Sequence, residues 1–393
     1  MFHRRIGRVL YAIREGIRRD LVHCMKTPKI AIIHDHLTQF GGAEQVLRAF
    51  HELYPEAPIY TLVYDEKKMK NVVPAKLVRT SFLQRLPGGL RYYQWFLPIM
   101  PTATEKYDLT EFDIVLSSSS AFSKGVITRP DALHVCYCHT PTRYLWTDTH
   151  HYIKELTKGR LFKPVIPFIL SYLRLWDRLS ADRVDHFIAN SQTVADRITK
   201  YYRRSSTVIY PPVEIERFTV QPGQGTYFLA GGRLVAYKRF DLIIEAFNKL
   251  NMPLKIFGIG PEDARLRAMA KSNIEFLGKV GDDERTALFE SCIAFIHPQE
   301  EDLGITPLEA MSAGKPVIAY GAGGALETVL AGKTGEFFED QDWPALVAEI
   351  MKFHPENYHA EQIRAHAMQF SKASFKKKIK AFIDEKWTEK NTS

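Results

Sequence analysis

Two glutamates eight positions apart, Glu301 and Glu309, lie in a run that reads as a strand exit followed by a helix: His297-Pro298-Gln299-Glu300-Glu301-Asp302-Leu303-Gly304-Ile305-Thr306-Pro307-Leu308-Glu309-Ala310. Ionised carboxylates accept hydrogen bonds from sugar hydroxyls, in pairs where geometry allows. Glu309 falls on a core-facing stretch, where an unpaired carboxylate is costly to bury, so structure alone explains it poorly. The helix start near Gly304, Ile305 and Thr306 offers N–H groups and a positive dipole end to a phosphate. Earlier, Gly231-Gly232-Arg233-Leu234-Val235-Ala236-Tyr237-Lys238-Arg239 ends another strand with three cations close behind. The planar fork of Arg233 and the compact charge of Lys238 suit a diphosphate.

Three further segments follow strands. Gly258 and Gly260 form a Gly-x-Gly that lacks the later glycine of a dinucleotide fingerprint; they can still line a nucleotide pocket. Gly41 and Gly42, in Gln39-Phe40-Gly41-Gly42-Ala43-Glu44, let backbone N–H groups approach an anion at a helix start. In Cys136-Tyr137-Cys138-His139-Thr140-Pro141 the cysteines read as core, because no second Cys/His pair with zinc spacing accompanies them. His139 differs, since an imidazole at a cleft can bond a sugar hydroxyl or an acceptor. His34-Asp35-His36 admits acceptor contact or general-base work more readily than metal binding.

The elements that must position these residues are legible as alternation. Short apolar runs at 29–34, 59–64, 114–117, 133–137, 187–189 and 207–210 are interleaved with helical patterns such as 42–54 and 192–202. That means βαβ units and a parallel sheet. Pro211-Pro212 breaks the chain. The pattern restarts with runs at 227–230, 254–257, 274–276, 294–296, 317–319 and 336–338. The expected fold is α/β, two Rossmann-like doubly wound domains facing across a cleft, over 28–212 and 213–372. A helix over 373–393 is expected to cross back to the first domain. Ligands in such sheets bind beyond the carboxyl ends of the strands, and the cleft between two domains is the default site.

Composition narrows the partners. The 393 residues can bury two cores, and a net charge of +8 favours polyanionic neighbours: nucleic acid, anionic lipid or phosphorylated ligands. Four scattered cysteines suit a reducing compartment. No apolar run is long enough for a transmembrane helix, and the first residues do not read as a signal peptide. Residues 1–27 are expected to form a basic amphipathic helix that can lie in an anionic headgroup layer or pack on the domain's flank. Segments 79–101 and 163–176 interleave cations with large aromatics, as in a helical insertion or a membrane interface serving a lipid-linked glycan acceptor. The expected location is cytoplasmic, peripheral on the inner face of the cytoplasmic membrane.

Over residues 29–370 the chain resembles family 4 glycosyltransferases of the GT-B fold. Gly232-Arg233-Leu234-Val235-x-x-Lys238, Glu301-x7-Glu309 and Gly314-x-Pro316-Val317-Ile318 look like that family's successive signatures, in order and at its spacing. Phe40-Gly41-Gly42-Ala43-Glu44 and Tyr137-Cys138-His139-Thr140-Pro141-x-Arg143-Tyr144 resemble members that build bacterial surface polysaccharides, often mannosyltransferases. The resemblance implies an acceptor domain followed by a donor domain, and a nucleotide-diphosphate sugar donor, GDP-mannose being the lean. Arg233 and Lys238 would hold the diphosphate, Glu309 the ribose and Glu301 the transferred sugar. The backbone at Gly304–Thr306 would touch phosphate or sugar, Gly41 and Gly42 would close over the donor, and Lys279 would line the base pocket. His139 would touch the donor sugar, with Asp35 and Arg143 on the acceptor side. Two cations would replace a metal, so no metal or cofactor is expected; no Asp-x-Asp metal motif is read. Retention would follow from front-face attack, the leaving phosphate accepting the acceptor's proton. Two departures stand out: Asp302-Leu303 for a common Gly-Phe, expected to alter sugar selectivity, and Arg239 for a common Gly, expected to add charge near the phosphates. The rival readings are a nucleotide-sugar epimerase, an inactive transferase-like partner, and a basic nucleic-acid binder, for which no recognised motif appears.

Overall fold

The computed structural model describes residues 28–392 except 148, 150–164, 222 and 224; the helix expected over 1–27 lies outside the described residues. Two all-parallel sheets carry the molecule. The first has strand order β3-β2-β1-β4-β5-β6-β7, from β1 (Ile30–His34), β2 (Ile59–Thr61), β3 (Val78–Thr80), β4 (Ile114–Ser119), β5 (Leu133–Cys138), β6 (His186–Ala189) and β7 (Ser206–Val208). The second has order β10-β9-β8-β11-β12-β13, from β8 (Tyr227–Gly231), β9 (Leu254–Phe257), β10 (Ile274–Gly278), β11 (Cys292–His297), β12 (Val317–Tyr320) and β13 (Gly335–Phe338). Strand order reverses between β1 and β4 and again between β8 and β11. These switch points open crevices at the carboxyl ends. Strands β4 and β5 are buried along their whole length, as strands covered by helices on both faces must be.

Strand β3 is the one member of the first sheet that the apolar pattern does not reveal. It is a three-residue edge strand with Arg79 exposed, so it carries no run of buried side chains.

The helices that matter for the site are α1 (Gly42–Leu53), α2 (Ile166–Ser180), α3 (Gln192–Arg197), α4 (Phe240–Leu250), α5 (Asp282–Ser291), α6 (Ile305–Ser312), α7 (Trp343–Lys352) and α8 (Lys372–Thr392). Helix α8 leaves the second domain and packs on the first. Phe375, Ile379 and Ile383 join the core containing Phe50, Leu116 and Tyr137. The Phe375 ring lies 5.9 Å from Phe50 and 5.7 Å from Tyr137. The chain therefore crosses between domains twice, and the crossings run side by side. Val213 N–H donates to the Phe370 carbonyl at 3.0 Å, and Lys372 N–H to the Val213 carbonyl at 3.1 Å.

Candidate active site

Strand β1 ends at His34, β4 at Ser118–Ser119, and β5 delivers His139 immediately beyond Cys138. Serines at the end of a buried strand need partners, and they find them here. Ser118 Oγ lies 3.1 Å from His34 Nδ1 and 2.8 Å from His139 Nε2, while His34 Nε2 faces Glu44 Oε1 at 3.4 Å. Burial pushes the His139 imidazole down to about 4, so it is neutral at physiological pH.

Asp35 differs from its sequence expectation. Its carboxylate accepts four backbone N–H groups, from Ser120, Ala121, Phe122 and Ser123, at 2.6–2.9 Å. Burial alone would raise this carboxyl, but His34 and the backbone amides hold it below its ordinary value. With both oxygens filled, Asp35 organises the loop after β4 and has no capacity left for an acceptor.

In the second domain the basic loop after β8 meets the glutamate loop after β11. Lys238 Nζ lies 2.9 Å from Glu301 Oε1, both largely buried. Burial raises the Glu301 carboxyl, and Lys238 and His297 more than reverse that, so it is ionised. Arg233 is exposed and makes no ion pair among the described residues. The close approach of β8 and β9 requires glycine: a Cβ at Gly258, which has φ +124°, would meet the Gly232 carbonyl oxygen at 1.8 Å. Gly260 sits as tightly against the Leu234 backbone. Gly304, at φ +84°, turns the chain into α6 over the buried His297 ring, neither of whose nitrogens has a partner among the described residues. Ile305 and Thr306 form the first turn of α6. Lys279 is exposed just past β10.

Glu309 is buried on α6 beside Arg285 of α5, with Arg285 Nη2 3.1 Å from its Oε1. Burial outweighs the pull of Arg285 and Arg217 and lifts the carboxyl to about 7. Arg285 is a residue that sequence reasoning missed; nothing in its helical surroundings marks it off from other surface arginines.

The structure places both departures from the family pattern. Arg239 sits at φ +51°, a left-handed conformation that favours glycine, which accounts for the usual residue there. Its guanidinium does not reach toward Lys238; it bonds the Gln341 carbonyl at 3.2 Å and Asp241 at 3.3 Å. Asp302 pairs with Arg197 of α3 in the first domain, and the same Arg197 Nη1 bonds Thr140 Oγ1 at 3.2 Å. The Asp-x-Asp reading also needs correction. Asp340-Gln341-Asp342 has that spacing, but Asp342 caps α7 by accepting from Ala345 N–H at 2.9 Å.

Contacts across the cleft bring the two halves together. Asp302 follows Glu301, and its partner Arg197 holds Thr140, the residue after His139. Tyr237 precedes Lys238 and lies under the Arg143 guanidinium, 5.8 Å from the ring centre. A Cβ at Gly42 would meet Ile305 Cδ1 at 3.0 Å, and one at Gly41 would meet Glu44 Oε2 at 3.3 Å. His139 and the Lys238–Glu301 pair therefore occupy facing lips of one cleft. One lip presents the neutral His139 imidazole and the other the Lys238–Glu301 ion pair.

Residues 40–217 match the model described as glycosyltransferase family 4, and residues 213–370 the one described as glycosyl transferases group 1. The chain belongs to the family 4 glycosyltransferases. The chain is 27% identical over 282 residues to the alpha-1,3/1,6-mannosyltransferase ALG2 of Dictyostelium discoideum, covering 59% of the chain and 63% of that relative. It is 26% identical over 238 residues to the D-rhamnosyltransferase WbpZ of Pseudomonas aeruginosa, covering 55% and 60%. The chain thus spans under two thirds of the length of these relatives. The solved structure of Anabaena Alr3699/HepE in complex with UDP shares its GT-B fold, with a TM-score of 0.67 at 19% identity, covering 91% of this chain and 100% of that one.

Proposed function

We propose that this glycosyltransferase moves a hexose from a nucleoside diphosphate sugar to a glycan acceptor, with retention of configuration and without a metal. The observation that carries the reading is the Lys238–Glu301 pair, 2.9 Å apart at the donor domain's switch point and facing His139. Lys238 and Arg233 supply positive charge where a departing diphosphate gains negative charge, the task a metal performs elsewhere. Glu301 accepts from hydroxyls of the transferred sugar, and Glu309 from the ribose. Support for mannose comes from relatives named as mannosyltransferases, including the O-antigen chain mannosyltransferase C of Escherichia coli at 28% identity, and GDP as the nucleotide is proposed from the sequence resemblance alone. Bacterial surface polysaccharide is then the product class.

Thermal unfolding with GDP, UDP, dTDP and ADP tests the donor site. A ligand at about 100 times its Kd adds about 2.7 kcal/mol, so GDP is expected to raise the midpoint most. A larger shift with UDP would replace the donor, and no shift with any would remove the donor site. The same titration carries a pH arm. Ionised Glu309 accepts from the ribose hydroxyls with both oxygens, whereas the protonated acid turns one oxygen into a donor; the ionised form dominates above about pH 7 and is lost below it. Affinity should therefore rise up to about tenfold between pH 6 and 8, and the Glu309→Gln variant should lose that part of the slope.

The acceptor side is proposed to rest on an anionic membrane. Phe168, Tyr172, Leu175 and Leu179 are all exposed at one-face spacing on α2, Phe168 by 77%. Tyr92, Trp95 and Ile99 are exposed in the segment whose buried residues share a core cluster with α2. Among the described residues no helix is long and apolar enough to cross a membrane, whereas an apolar stripe suits partial burial at the headgroup boundary. Sedimentation with phosphatidylglycerol vesicles should be lost on changing Phe168 and Leu175 to serine; retention would move the contact elsewhere.

A further inference from the structure

Glu44, His34, Ser118 and His139 make a chain of hydrogen bonds whose direction is determined by its first member. The Glu44 carboxyl is held below its ordinary value: burial raises it, and the hydrogen bond from His34 leads the effects that more than reverse this. It is a carboxylate, able only to accept. The 3.4 Å contact therefore requires a hydrogen on His34 Nε2. In a neutral imidazole the other nitrogen is then an acceptor, so His34 Nδ1 takes the Ser118 hydroxyl proton across 3.1 Å. The Ser118 oxygen has given its only hydrogen and must accept at its second contact. His139 Nε2, 2.8 Å away, is consequently the donor. A neutral His139 with its hydrogen on Nε2 carries a lone pair on Nδ1, for which no partner occurs among the described residues.

The geometry points to Glu44, His34 and Ser118 as positioning residues that fix the tautomer of His139, so that its Nδ1 accepts a hydrogen bond from a hydroxyl of the bound sugar substrate. This rests on the reading that His139 meets the sugar. The chain itself does not depend on that reading. A site of this polarity selects a hydroxyl, which can donate. It discriminates against an analogue carrying fluorine at the same carbon, which cannot, because the accepting nitrogen would be left without a partner. The sequence held one sign of the arrangement: four consecutive serines, Ser117–Ser120, at the end of an otherwise apolar strand.

Long-range proton–nitrogen correlation spectra of the 15N-histidine-labelled full chain at pH 8, above the ordinary imidazole range, read the tautomer directly. The expected result is His139 as the Nε2–H form in the wild type and a mixture of forms in Ser118→Ala, whose small change leaves the core packed. His139 as Nδ1–H in the wild type, which is the pattern a protonated His34 would impose, overturns the proposal; so does an unchanged tautomer in Ser118→Ala. The wild-type spectrum decides the direction even if the variant does not fold. In transfer assays Ser118→Ala should lower kcat about 10–100-fold, the usual effect of removing a partner that orients a functional imidazole, with GDP affinity unchanged. A correct tautomer with no kcat effect would leave the chain standing and sink the placing of His139 against the sugar.

Discussion

Replacing Glu301 with alanine is expected to lower kcat for transfer by about 10²–10³-fold, the range for removing one preorganised electrostatic partner of a transition state, while nucleoside diphosphate affinity holds or rises. The second half of that expectation follows from the ion pair. Lys238 Nζ sits 2.9 Å from Glu301 Oε1 in the free site, so the carboxylate competes with an incoming phosphate for the same ammonium. Removing it frees Lys238 for the diphosphate and removes only the contact to the sugar. Lys238→Met should behave oppositely. Turnover falls by a similar factor, diphosphate affinity falls with it, and the largely buried Glu301 is left without its cation beside an unpartnered His297. Measuring kcat with the sugar donor and Kd with the diphosphate alone separates the two variants. Equal losses in both quantities for Glu301→Ala would remove its sugar-contact role.

Asp177→Ala is expected to cost about 3–5 kcal/mol of stability, the penalty for stranding a buried charge. Asp177 on α2 is 2% exposed and its two oxygens take four donors. Lys124 Nζ and Thr142 Oγ1 reach one oxygen at 2.5 and 2.7 Å, and Trp146 Nε1 and Tyr202 OH the other at 2.7 and 2.9 Å. Lys124 is 1% exposed and has no other carboxylate within ion-pair distance among the described residues. Truncation at Asp177 leaves an ammonium and three neutral donors facing a void. Lys124→Met should cost less, since Asp177 then keeps three hydrogen bonds. Urea unfolding compares the two, and an Asp177→Ala penalty below about 1 kcal/mol would contradict this account. Because Thr142 and Trp146 follow His139 closely in the chain, the same hub holds the active-site loop, so Asp177→Ala should lose transfer activity at temperatures where it is still folded.

What the sequence made legible was governed by local rules. Alternation of apolar runs and helical patterns announced two parallel sheets, because strands buried on both faces must be apolar throughout. Glu309 stood out because a carboxylate on a core-facing stretch demands a partner, but the partner, Arg285, sits on another helix with no local mark. Asp35 shows the converse. Next to two histidines it looked like chemistry, and only the fold brings Ser120–Ser123 around to fill its oxygens. Asp302 was visible as a departure, whereas its pairing with Arg197 joins residues from different domains and cannot be read from either neighbourhood. Arg239 is different again: its left-handed backbone was implied by the glycine it replaces, while the direction of its side chain depends on Gln341, far along the chain.

The return of α8 to the first domain sets an order of events during synthesis. Phe375, Ile379 and Ile383 complete a core whose other members, Phe50, Leu116 and Tyr137, leave the ribosome long before them. Every strand of the second sheet is translated in between, a delay of roughly ten seconds or more at typical rates. Throughout that interval the first domain presents an uncovered aromatic face, and the second domain can finish folding before the first does. The half of the molecule made first is therefore the half completed last.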